Sequence, residues 1–312
     1  MVLIPLLVAC GGSPGFGENL IPTKEKVEIN LPDAAAAKSP SDPTDFAQYY
    51  KDTRAVTESV NGLIAGVLGT VWLVVNTQTP AWSDDTETKA VWGPYKDSGL
   101  DPVETGVYVE RLEDDSYAWA VFFVPNGGTV ESDAVPVIAG EVDAGATPDV
   151  ASGRFAIDFA TAHEMDPAWT QVGTFYVDYS YDEAGVSATA GAEAYGWEGL
   201  PLVNAVYAYD QDYAGGGEMD LAYESDVNLT GVAEIVTLKS RWQPDGVGRG
   251  DAQIVGGDLG ADVVSASECW GTDFKTAFWT DSIGWYEVVG DESACGYAEA
   301  AYASEADFDA LE

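Results

Sequence analysis

His163, the only histidine, stands in Ala162-His163-Glu164-Met165-Asp166-Pro167, and catalysis would be sought there first. A zinc hydrolase of the His-Glu-x-x-His kind needs a second imidazole one helical turn on, and Pro167 occupies that position. A serine hydrolase built on His163 would need a Gly-x-Ser-x-Gly elbow between a strand and a helix, which the folded part lacks. The fifty-three Asp and Glu residues offer a carboxylate pair at any spacing, so the glycosidase arrangement identifies no site. Tyr209-Asp210-Gln211-Asp212-Tyr213-Ala214-Gly215 begins like a calcium loop, but Ala214 and Leu221 fall where oxygen ligands belong. Asp210 and Asp212 are therefore weak calcium candidates at a hairpin tip, and no other metal or cofactor is implied. Arg249-Gly250-Asp251 has the sequence of an adhesion tripeptide, yet it follows Pro244-Asp245-Gly246 and reads as a turn entering a strand.

Aromatic residues offer a different chemistry, that of stacking and cavity closure. The chain has ten Trp, sixteen Tyr and ten Phe. Most fall on the inward row of a strand. Trp82, Trp92, Trp169, Trp197 and Trp285 sit instead beside Gly, Pro or acids near strand ends, where a ring could meet a sugar or an apolar ligand.

Positioning these residues requires two kinds of element. Asp42-Pro43 is an N-cap followed by proline, with Asp45 in the first turn. Phe46, Tyr49, Tyr50, Val56, Val60, Leu63, Ile64, Val67, Leu68 and Val71 then recur at helical spacing. That predicts one long helix over about 44–72 that buries one face on a sheet. Gly62, Gly66 and Gly69 are expected to let the sheet approach closely. From about residue 88 the period is two: Tyr117, Trp119, Val121 and Phe123 share a face, as do Phe175, Val177, Tyr179 and Tyr181. Asp158, Asp178, Asp220 and Glu224 lie on the opposite faces. Turn signals at 113–116, 182–185, 214–217 and 244–246 separate the strands at hairpin distance. The expected fold is mainly β, a curved antiparallel sheet or half-open barrel packed against the helix. No strand–helix–strand pattern appears, which excludes Rossmann-like and TIM-barrel enzymes. The acidic outward rows also argue against a transmembrane barrel.

Thirteen basic against fifty-three acidic residues give a net charge of −40. Such a field repels phosphate backbones, so nucleic acid is excluded as a partner. Solubility, self-repulsion and a salty habitat are sufficient explanations for the excess.

The N-terminus runs Met1-Val2-Leu3-Ile4-Pro5-Leu6-Leu7-Val8-Ala9-Cys10-Gly11. Leu7-Val8-Ala9-Cys10 resembles the lipobox of bacterial lipoprotein signal peptides. The resemblance implies that 1–9 is a signal peptide, cleaved after Ala9, and that Cys10 carries fatty acyl chains such as palmitate. No Lys or Arg precedes the apolar run, which departs from the charged start of such signals. The run is too short to cross a bilayer. Gly11 rather than Asp after the cysteine implies the outer membrane, facing the periplasm or the cell surface. Residues 10–43, broken by prolines, are expected to be a flexible tether, with 44–312 as a single domain. An exported chain meets an oxidising compartment, and Cys269 and Cys295 remain as an even pair, so one disulfide is expected. Trp242, Gly248-Arg249-Gly250-Asp251-Ala252, Gly256-Gly257-Asp258-Leu259, Ser267-Glu268-Cys269-Trp270 and Gly290-Asp291-Glu292-Ser293-Ala294-Cys295 form a C-terminal pattern. That quarter of the chain is similar to lipoproteins of myxobacteria and related δ-proteobacteria.

These readings converge on a non-enzymatic outer-membrane lipoprotein whose sheet holds an apolar or carbohydrate ligand in a groove. An acidic structural or surface-interaction protein is the alternative, and an exported hydrolase comes third.

Overall fold

The computed structural model describes residues 22, 24–32, 46–86, 88–96, 99, 101–147 and 149–303. The lipobox with Cys10, and the Asp42-Pro43 helix start, lie outside the described residues.

After a short helix α1 (Lys24–Val27) comes the long helix α2 (Gln48–Thr77). Its buried row, Tyr50, Thr53, Thr57, Val60, Ile64, Val67, Leu68, Val71 and Val75, has the three-and-four spacing seen in the sequence. The helix starts at Gln48 and runs five residues past the expected end. By length and composition it could cross a membrane. In this fold the apolar row packs on the sheet. Gly62, Gly66 and Gly69 do not mediate that packing: a Cβ on any of them would meet no atom within 4 Å. They lie away from the sheet, because the larger apolar side chains take the inward row.

The strands form one open antiparallel meander, each pairing with the next in sequence. Its first part is β1 (Trp82–Ser83), β2 (Lys89–Tyr95), β3 (Val103–Arg111), β4 (Tyr117–Pro125), β5 (Val135–Val142), β6 (Ala151–Asp158) and β7 (Gln171–Tyr181). It continues through β8 (Gly185–Trp197), β9 (Val203–Asp212), β10 (Gly217–Ser225), β11 (Glu234–Trp242) and β12 (Gly248–Val255). It ends with β13 (Val264–Trp270), β14 (Thr276–Asp281) and β15 (Val289–Gly290). One-turn α3 (Val130–Asp133) and the short α4 (Phe159–Met165) sit in the connections after β4 and β6. The expected mainly-β architecture, a long helix on an open antiparallel sheet, is therefore the observed one.

Helix α2 crosses the strands. Its first turn meets β13, where Tyr49 N–H donates to Glu268 at 2.6 Å. Thr53 shares a hydrogen bond with Ser240 on β11, and Gln78 after its last turn accepts from the Trp92 indole on β2 at 3.0 Å. Large rings over cross-strand glycines pave the inner face: Trp119 lies on Gly140, Trp242 on Gly217 and Trp270 on Gly248. A Cβ at Gly248 would stand 2.2 Å from the Trp270 ring, so only glycine fits there.

Two segments complete the domain. Residues 26–32, expected as part of the tether, lie against the domain, with Val27 and Ile29 buried. The Asn61 side chain binds both the N–H and the carbonyl of Ile29, and the Gln211 amide does the same for Asn30. Amide side chains thus satisfy a backbone stretch that joins no strand. At the other end, the Cys269–Cys295 disulfide (Cα–Cα 5.5 Å) clamps the C-terminal segment on the outer face of the sheet. Beneath it Arg249 is 1% exposed and Asp251 0%. The Arg-Gly-Asp tripeptide is interior structure and is not offered to a receptor.

Candidate functional site

Between the N-terminal half of α2 and strands β9 to β14 lies a cavity of about 670 Å³. The helix contributes Tyr49, Asp52, Ala55 and Val56; the strands contribute small and aliphatic side chains such as Ala205, Leu221, Ala252, Ile254 and Ala266. Small residues at inward positions of neighbouring strands create the space: Ala252 and Ala266 are register partners on β12 and β13. Elsewhere the inner face is filled by larger side chains such as Trp119, Phe155 and Ile157.

A third wall is the loop after β14, carrying Ile283, Trp285 and Tyr286. One side chain shapes it. The Asp281 carboxylate accepts the backbone N–H groups of Ile283 and Trp285 at 3.0 Å and of Tyr286 at 3.1 Å. Those hydrogen bonds, Tyr286's first, hold the Asp281 carboxyl below the usual carboxylate range. Tyr286 packs edge-on against Trp279 at 6.0 Å, and Trp279 in turn against Tyr49 at 5.5 Å, so loop, sheet and helix form a continuous aromatic wall.

Ionisable groups in the lining are few and acidic. Burial raises the Asp52 carboxyl, with the Gln48 amide hydrogen bond opposing the shift. Burial, followed by the Glu268 charge, pushes the Tyr49 phenol well above its ordinary value. Glu268 itself is only 2% exposed. Besides capping α2 it accepts from the Thr276 hydroxyl at 2.6 Å. This is the acid at the helix start, supplied from β13 in place of the expected Asp42 and Asp45: no acidic residue lies in the first turn from Gln48, and the cap Ala47 has no side-chain bond.

The five tryptophans singled out in the sequence separate. Trp285, 73% exposed, borders the cavity mouth. Trp197 ends β8 and is exposed on the same edge of the sheet, whereas Trp82 is exposed at the far end on β1. Trp92 is fully buried, and Trp169 packs between Phe123 and Phe159. Trp92 is a core residue under the helix C-terminus, and Trp169 is half-buried against α4. The sequence did not reveal Ala252, Ala266 or the 282–288 loop as site residues. The available signal was a run of small residues on the inward rows, Gly248, Gly250 and Ala252 on β12 with Ala266 on β13.

His163 lies on α4, where Nδ1 meets the Trp169 carbonyl and Nε2 lies 3.8 Å from a Glu198 carboxylate oxygen. No serine takes part in either contact. Asp210 and Asp212 are exposed at the start of the β9–β10 turn, where Asp212 accepts the Ala214 N–H at 2.7 Å. They line an open cleft of about 510 Å³ with Asp143 and Asp182. No group of three or more His, Cys, Asp or Glu among the described residues is arranged to hold a metal ion. The apolar cavity is the better site, since burying apolar ligand surface yields more free energy than meeting solvated carboxylates.

No protein-family model, curated protein or solved structure matches the chain.

Proposed function

We propose that this protein is a non-enzymatic outer-membrane lipoprotein, anchored through acyl chains on Cys10, that holds an apolar ligand in the cavity under α2. The cavity carries the reading. Its volume falls in the range of small-molecule sites, and its walls are aliphatic and aromatic with two carboxylates near the opening. Of the two ligand classes expected from the sequence, the apolar one fits better. Asp52, Ser265 and Asp281 offer hydrogen bonds to a sugar, but aliphatic side chains such as Ala205, Leu221, Ala252, Ile254 and Ala266 make up most of the sheet wall. An acidic surface-interaction protein is the second reading, favoured by the cleft at Asp143, Asp182, Asp210 and Asp212.

The binding test uses an environment-sensitive aryl-naphthylamine dye and native mass spectrometry of protein taken from its own host. The dye is expected to brighten with wild type and to stay dark with Ala252→Trp/Ala266→Trp, which fills the cavity. Equal brightening in both would show that the dye binds elsewhere. The anchor is tested separately: Cys10→Ser is expected to stay in the aqueous phase while wild type enters detergent, and identical partitioning would remove the lipobox reading.

A further inference from the structure

The meander sorts its turns by parity. Connections that follow even-numbered strands emerge on one edge of the sheet and those that follow odd-numbered strands on the other. From β8 onward the even-numbered turns carry exposed apolar tips: Leu200 after β8, Leu229 after β10, Val263 after β12, and Trp285 and Tyr286 after β14. Leu229 is 88% exposed. Apolar side chains at tips are costly in water, and their concentration on one edge marks an interaction surface. The opposite edge carries fewer apolar tips, with Val150 and Tyr213 the exposed ones. Its hairpins turn on Asp114, Asp182, Asp212, Asp245 and Asp273, each accepting a backbone N–H, a device that Asp226 and Asp281 share on the apolar edge.

We infer that the apolar edge docks on a lipid bilayer of low surface charge, and that the cavity loads through it. The inference rests on the apolar-ligand reading above. Three observations select a bilayer as the occupant. First, edge and cavity are continuous, because Val203, Ile283, Trp285 and Tyr286 belong to both. Second, separate hairpin tips bearing Leu, Val, Trp and Tyr suit the headgroup boundary, where aromatic side chains keep a polar end wet. A second copy of the chain is opposed by repulsion between two bodies of charge −40. Third, residues 26–32 run along the opposite edge, where Lys26 meets Asp149 and Asn30 meets Gln211. The twelve residues from Cys10 to Pro22 reach up to about 40 Å, enough to pass a nine-residue strand of about 30 Å and leave the apolar edge facing the bilayer. The turns at 198–202, 226–233, 256–263 and 282–288 contain acids but no Lys or Arg, so anionic lipid would weaken docking.

The test uses soluble Cys10→Ser protein, so that the anchor does not mask the edge, in flotation with phosphatidylcholine vesicles. Tryptophan quenching by brominated lipid serves as a second readout. Cys10→Ser is expected to float and to be quenched. Adding Leu200→Ser and Leu229→Ser, which lie outside the cavity lining, should cut the bound fraction about tenfold. Including phosphatidylglycerol should reduce binding at low salt and spare it at high salt. Dye binding by the serine variant should match that of the parent. Dye binding without flotation would overturn the docking edge while leaving the cavity reading intact. Flotation that the serine substitutions reduce, without dye binding, would do the reverse. Dimers in sedimentation that the serine substitutions dissolve would make a second copy the occupant and refute the bilayer.

Discussion

Removing the Asp251 carboxylate should unravel the outer face of the sheet, and the size of the loss can be reasoned from its partners. One oxygen accepts Arg249 Nε at 2.8 Å and the Ser267 hydroxyl at 2.6 Å; the other accepts Arg241 at 3.1 Å and the Ala301 N–H at 3.0 Å. With Asp251→Ala, the buried Arg249 guanidinium keeps only the half-exposed Glu292 and the Tyr297 carbonyl. Breaking one side of a buried pair costs about 3–5 kcal/mol, because the remaining charge stays desolvated. At roughly 2 °C per kcal/mol for a domain of this size, thermal unfolding of the Cys10→Ser protein should fall by about 6–10 °C. Arg249→Met alone should cost a similar amount. The double variant Arg249→Met/Asp251→Leu should cost far less than the two singles together, since a hydrophobic pair leaves no charge unpaired. A drop under ~2 °C for Asp251→Ala, as for a surface pair, would refute the buried network. Additive single effects would refute the coupling.

Other substitutions test the rest of the frame. Glu268→Gln removes the charge facing the start of α2 and should cost about 1–2 kcal/mol, read as a modest fall in Tm; no change would mean that Glu268 does not cap the helix. Gly248→Ala forces Trp270 to move or clash and should cost about 2 kcal/mol or more, whereas Gly66→Ala, facing open space, should be neutral or stabilising. Cys295→Ser opens a loop of sequence separation 26 and should cost about 3.5 kcal/mol in the entropic account; a non-reducing digest linking the Cys269 and Cys295 peptides checks the bond. Burial pushes the Tyr49, Tyr179, Tyr207 and Tyr209 phenols up. The folded state then holds protons that the unfolded state releases above about pH 10. Stability should therefore be intact below that pH and fall as pH rises through it, and flat stability to higher pH would contradict their burial. Sodium and calcium chloride at matched ionic strength should raise Tm equally; a shift at micromolar calcium, lost in Asp210→Ala/Asp212→Ala, would instead assign calcium to that turn.

Much of the frame was legible because it obeys local periods. The inward rows of β4 and β7 and the buried stripe of α2 followed from spacing two and from spacing three and four. The cysteine pair followed from the count of cysteines once export was expected. What spacing could not carry was long-range partnership. Asn61 and Gln211 clasp residues 29 and 30 across 32 and 181 positions, so a segment with tether-like composition became part of the core. Glu268 reaches a helix 219 residues away. Gly62, Gly66 and Gly69 were misassigned because a small residue suits a close approach and an open surface equally well. Trp92 was misassigned because sequence neighbours do not report which side of a strand end is covered.

The hairpin turns show the same limit in a more telling form. The turn signals at 113–116, 182–185, 214–217 and 244–246 all belong to connections after odd-numbered strands, hence to one edge. They were readable because Asp and Gly satisfy a tight turn locally. Connections on the other edge carry turn residues as well, such as Gly199, Asp226 and Gly256, but they add Leu200, Leu229 and Val263 at exposed positions where turn chemistry favours polar residues. Neither turn geometry nor solvation asks for an apolar side chain at those positions. Their concentration on one edge, beside an apolar cavity, is explained by contact with an apolar surface. The turns keep Gly199, Asp226, Asn228, Gly256 and Asp258 to make the bend, so exchanging Leu200 and Leu229 for serine should leave the fold standing and remove the contact.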